Sequence, residues 1–88
     1  MTLTFPNASR SFEARHHGVL FWGHDGTLEV SFLIDVAAVA RLAPETGNGE
    51  AEVLAAFDSA RERIHRVALH TYVTSSRRSL YLLHPEDF

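Results

Sequence analysis

The sequence predicts an α+β domain: a small, mostly antiparallel sheet of about four strands with two helices packed on one of its faces. Three observations predict it. Two apolar-patterned segments, residues 19–23 and 28–34, flank the turn-forming dipeptide Asp25-Gly26 and read as a hairpin. Apolar residues then recur at three- and four-residue spacing through residues 50–74, as one face of a helix requires. A further short apolar segment, 79–84, closes the chain. Strands, then helices, then a strand is the order expected when helices lie on one side of an antiparallel sheet.

Taken in order, Leu3-Thr4-Phe5 is a short first strand stopped by Pro6-Asn7, and the proline assigns it to an edge. Phe12 and Ala14 suggest a few more extended residues. Asp25-Gly26 at the centre of a two-residue type I′ turn would pair Gly23 with Leu28, Phe21 with Val30 and Val19 with Phe32. Those residues share one apolar face. The other face has Trp22 opposite Glu29 and Leu20 opposite Ser31. A slip of one residue would exchange the faces, so pattern and turn agree.

Asp35 can cap a helix over residues 36–43, which Pro44 stops. Residues 44–49, PETGNG, form a turn-rich loop. The second helix, 50–74, carries Val53, Phe57, Ala60, Ile64, Val67, Ala68 and Tyr72 as one stripe. Glu50 and Glu52 complement the dipole of its first turn. Glu62 and Arg66 form an i,i+4 pair. Ser75-Ser76-Arg77-Arg78 leads into the last strand, and Pro85 ends it.

Composition bounds the function classes. Eighty-eight residues, 45% hydrophobic and 22% charged, suit one domain, residues 1–88, with a single core. No cysteine is present, which excludes disulfides and thiolate metal sites. No apolar stretch approaches the ~20 residues that span a bilayer, so no membrane partner is expected. The start, MTLTFPNASR, lacks the basic and apolar blocks of a secretion signal, and a cytoplasmic location is expected. Asn7-Ala8-Ser9 fits a glycosylation sequon but reads as a turn in that setting. A net charge of −3 argues against a nucleic-acid partner.

The segment RHHGVLFWGHDG holds three of the six histidines. A metal site would need them together. Seven strand residues at ~3.3 Å each put His17 roughly 23 Å from His24, and the two point to opposite faces. Metal–nitrogen bonds are about 2 Å, so one ion cannot join them. His65 and His70 are five apart on a helix, turned roughly 140° from each other, without the i,i+4 spacing of a helical zinc pair. His24-Asp25 is a turn dipeptide rather than an oriented dyad. Ser75, Ser76 and Ser79 lack a nucleophile elbow, and the scattered glycines make no phosphate loop. No catalytic residue, cofactor or metal is therefore expected.

Two features stand out. The sheet face carrying Leu20, Trp22 and Leu33, with Tyr81 or Leu82 from the last strand, has no cover of its own if both helices lie on the other side. Trp22 is the only tryptophan. With Glu29 and His24 at its margin, this face resembles an interface core with a polar rim. Leu20, Trp22, Glu29 and Leu33 are the candidate interface; a chain segment such as the tail ending in Phe88 is the alternative cover. The second feature is Arg61 on the apolar stripe. Either its stem packs while its head reaches water, or it forms a structural ion pair, with Glu13 as the expected partner.

The chain resembles the small bacterial proteins of the family called domain of unknown function 1488. The resemblance is carried by Leu3-x-Phe5-Pro6, Phe12-Glu13, Val19-x-Phe21 and Phe57-x-x-x-Arg61-x-x-Ile64-x-x-x-Ala68, over nearly the whole chain. Phe12-Glu13 stands where a Tyr-Asp pair is commoner in the family, and so lacks a hydroxyl. The resemblance implies a compact α+β fold and a bacterial cytoplasmic origin, and no activity. It adds weight to Arg61 and Glu13 as a structural signature.

The expectation is a non-catalytic interaction domain that forms a homodimer or binds a protein partner through the Trp22 face. The alternatives are a nucleic-acid-associated regulator using Arg77, Arg78 and helix arginines, and a small-ligand binder or enzyme built from His24, His70 and His84.

Overall fold

The computed structural model describes residues 3–6, 9–44, 47 and 49–88. Asn7 and Ala8 of the sequon, and Glu45, Thr46 and Asn48 of the PETGNG loop, lie outside the described residues. Four of the five strands are antiparallel: β1 (Leu3–Thr4), β2 (Arg10–Glu13), β3 (Gly18–Asp25) and β4 (Leu28–Asp35). The fifth, β5 (Leu80–Leu83), runs parallel to β4. Between them come α1 (Val36–Leu42), α2 (Glu50–Ser59) and α3 (Arg61–Thr74). The α+β class and the mostly antiparallel sheet are as the sequence predicts.

β1 and β2 lie in succession along the same edge of β3, with Leu3 opposite Asp25 and Arg10 opposite Phe21. β1 ends at Thr4, two residues before Pro6, which cannot donate to a ladder.

The hairpin register differs from the expected one. Asp25 pairs with Leu28, Phe21 with Phe32 and Val19 with Ile34, so the loop is Gly26-Thr27. Gly26 has φ +64°, and among the described residues the only non-glycine with positive φ is His17. This is the type II′ pattern, which needs positive φ at one central residue and not two. Glycine meets that need alone, and Asp25 stays in the strand. The pairing moves by two positions, so every side chain keeps its predicted face. Trp22 meets Ser31, while Glu29 meets His24.

Asp35 caps α1 as expected: its Oδ1 accepts from the Ala37 amide at 3.1 Å. Glu52 reaches back to the Gly49 amide at the start of α2. The expected single helix over 50–74 is two helices, because the run bends at Ala60 (φ −104°, ψ 12°). The Ser59 hydroxyl donates to the Ala56 carbonyl at 2.9 Å, a side-chain bond that competes with the helical ladder.

The core lies between the helices and one face of the sheet. Val19, Phe21, Phe32, Ile34, Tyr81 and Leu83 supply the sheet side; Ala38, Val39, Phe57, Ile64 and Ala68 supply the helix side. Phe21 stacks on Phe32 with centroids 5.2 Å apart and meets Phe57 at 5.3 Å. Leu28, expected on this face, sits 47% exposed at the hairpin tip. No helix among the described residues is long and apolar enough to cross a membrane.

Candidate protein-interaction face

The face of the sheet away from the helices follows from the register. One row across it is Ser11, Leu20, Leu33 and Leu82; the next is Trp22, Ser31 and Leu80; His24 and Glu29 border them. Glu13, Gly18 and Asp35 border the other side. Leu20 and Trp22 are half-buried, Glu29 is exposed, and Leu80 and Leu82 are exposed by 38% and 49%. Leu33 is buried on this face because Leu20 and Leu82 flank it and its side chain lies over Gly18.

The four expected residues, Leu20, Trp22, Glu29 and Leu33, thus share one side of the sheet. Leu82 joins them, and Tyr81 does not: it is buried on the helix side against Phe32 and Tyr72. Leu80 was missing from the expected patch. Its place could be read from alternation once Tyr81 and Leu83 are set in the core. The C-terminal segment does not cover this face; Phe88 packs against the core cluster, and the final turn, Pro85–Asp87, contacts α1.

Arg61 and Glu13 do not pair. The Arg61 guanidinium donates to Asp58 Oδ1, and Glu13 stands 3.8 Å from His16. The reason is topological. Glu13 is opposite Gly18 on the open face, while Arg61 begins α3 on the helix side. There Arg61 also lies over the Phe57 ring, 5.0 Å from its centroid. Asp58 takes a second arginine as well: Arg10 Nε and Nη2 donate to its two oxygens at 2.9 and 2.8 Å. The Arg10 bonds, then Arg61, hold the Asp58 carboxyl below its ordinary range against the opposing effect of burial. This three-residue bridge ties β2 to the α2–α3 bend.

The histidines stay apart. His17 precedes β3 and His24 lies near its other end. His70 and His84 are exposed on α3 and after β5. Among the described residues, no three His, Cys, Asp or Glu side chains cluster as metal ligands. Only His65 enters the interior. It lies flat on Phe5, with centroids 3.8 Å apart and planes 8° from parallel. Burial, then the nearby Arg61 charge, lowers its pKa to about 4. Tyr72, on the next part of α3, donates to Asp25 Oδ2 at 2.7 Å, a bond that raises the phenol pKa. Arg77 and Arg78 are exposed between α3 and β5.

The family model described as "Protein of unknown function (DUF1488)" matches residues 3–84. A crystal structure of a protein of unknown function from that family, from Shewanella loihica PV-4, superposes with TM-score 0.76. The match covers 92% of this chain and 90% of that one, at 14% identity, and shows a common fold. No curated protein matches the sequence. The matched span holds all five strands and all three helices, and every segment that carried the sequence resemblance; the chain belongs to the DUF1488 family.

Proposed function

We propose that this chain is a non-catalytic interaction domain, and that the open face around Trp22 is where it meets a protein, either a second copy or another chain. The observation that supports this most is the side-by-side row of Leu20, Leu33 and Leu82, with Trp22 and Leu80 beside it, on the face of the sheet away from the three described α-helices. An apolar centre with a polar margin of His24, Glu29 and Ser11 has the composition of an interface. Burying Trp22 and Leu20 against a partner would contribute roughly 1.5–3 kcal/mol each. A bacterial, cytoplasmic setting belongs to the same reading and rests on the family resemblance.

The experiment is the solution mass of the wild type and of Trp22→Arg, by size-exclusion chromatography with light scattering at neutral pH. Trp22 is only half-buried, so the variant is expected to fold. A dimer that becomes a folded monomer assigns the face to a second copy. If the mass is unchanged, the variant serves as control bait, and the partner held by the wild type should be lost. A variant that keeps both the mass and every partner of the wild type overturns the proposal.

A further inference from the structure

The two edges of the sheet are unlike. The β1–β2 edge is interrupted at Pro6 and carries Arg10 and Glu13, devices that discourage pairing with another strand. The other edge is β5, Leu80-Tyr81-Leu82-Leu83, four uncharged residues. It pairs with β4 on one side, and no described residue pairs with its outer side. A cleft lined by Thr71, Ser75, Arg78, Tyr81, Leu82 and His84 runs beside it. Alternate backbone amides and carbonyls of an edge strand point outward, and an extended strand is what satisfies them.

The charges flanking β5 identify that strand. Arg77-Arg78 precedes it and Glu86-Asp87 follows it. β5 ends at Leu83 and the acidic residues lie in the Pro85–Asp87 turn beyond it, so in a two-fold antiparallel pairing centred on Leu82 the basic approach to the strand in each copy comes to the end where the other copy carries its acidic turn. Tyr81 meets Leu83 on the helix side, and Leu82 meets its own counterpart on the open side. A parallel pairing would instead set arginines beside arginines. Arg78 and Glu86 are exposed, and among the described residues neither has an ion-pair partner in its own chain. We infer that two copies of this chain join antiparallel along β5, with the opposite charges at its two ends, Arg78 and Glu86 among them, setting the direction.

The joined sheet would have ten strands, with both Trp22 faces on the same side and all helices on the other. Such an isologous contact closes at two copies. Leu80 and Leu82 belong both to this edge and to the Trp22 face, and Trp22→Arg separates the two readings because it leaves β5 untouched.

The test is sedimentation or light scattering across a concentration series. The wild type is expected at twice the 9.8 kDa chain mass. Leu82→Lys sets like charges on the two-fold axis and should give a folded monomer. Arg78→Glu and Glu86→Arg should each raise the dimer Kd by roughly tenfold, because two attractions become two repulsions. The double variant R78E/E86R should return it to near the wild-type value. Circular dichroism checks folding, and all three side chains are exposed. A monomeric wild type up to several hundred micromolar overturns the inference. So does a dimer that survives Leu82→Lys and both single charge changes, or one that Trp22→Arg alone dissolves.

Discussion

His65 lies flat on Phe5, 3.8 Å between ring centroids, and so holds Phe5, the residue after β1, against α3. Phe21 is the next ring, at 5.9 Å, and Arg61 is the nearby charge. Burial among apolar rings and the nearby cation both favour the neutral imidazole.

The consequence is a pH dependence of stability. The His65 pKa is about 4 in the folded chain against 6.5 for the free side chain. The unfolded chain therefore binds the proton first, and stability is lost as pH falls from 6.5 towards 4. Below that window the loss levels off. Urea unfolding at stepped pH should show this slope in the wild type and a shallower one in His65→Phe, which keeps the stack. Equal slopes would remove His65 as the cause.

Asp58 acts in a lower window. Its carboxyl titrates below 3.8, so its contribution is present above that value and lost as pH falls through the folded pKa. Asp58→Ala leaves Arg10 and Arg61 near each other without their shared anion. The side chains are partly exposed and solvent screens them, so the expected loss is roughly 1 kcal/mol at neutral pH. Chemical denaturation measures it; high salt should shrink the difference between variant and wild type.

Gly18 has no room for a methyl group. A Cβ there would stand 2.7 Å from the Ile34 carbonyl oxygen of the paired strand, and Leu33 fills the remaining space. Gly18→Ala must therefore move backbone. A destabilisation of roughly 1–3 kcal/mol is expected in urea unfolding.

Phe57 is fully buried, touches Phe21 and supports the Arg61 guanidinium. Phe57→Ala removes one of the largest core side chains, at about 3–5 kcal/mol. For a chain of this size that is much of the total stability. Circular dichroism melting should show a far lower midpoint or no folded baseline.

Much of this fold was legible because its signals are local. Asp35 and the Phe57–Ile64–Ala68 spacing each determine a neighbouring element without help from distant residues. The faces of β3 and β4 were legible from alternation, even though the turn centre was misplaced, because a shift of two positions conserves parity. The bend at Ala60 was not legible. No glycine or proline marks it, and the apolar stripe runs through it unbroken. The partner of Arg61 was not legible either: Asp58 lies three residues back, but choosing it over Glu13 requires knowing which side of the sheet each occupies. The candidate face was readable around Leu20, Trp22 and Leu33. Its extension to Leu80 and Leu82 depended on the long-range pairing of β4 with β5.

The most direct test of the central claim is photo-cross-linking from the open face inside the cells that make the protein. Ser31, between Trp22 and Leu80, would be replaced by a photoreactive phenylalanine analogue, with the exposed Arg63 of α3 replaced as the control. The account predicts a discrete protein adduct from position 31, lost in the Trp22→Arg background, and none from position 63. Irradiation that yields no adduct at position 31, or the same adducts at both positions, would contradict the assignment of this face to protein binding.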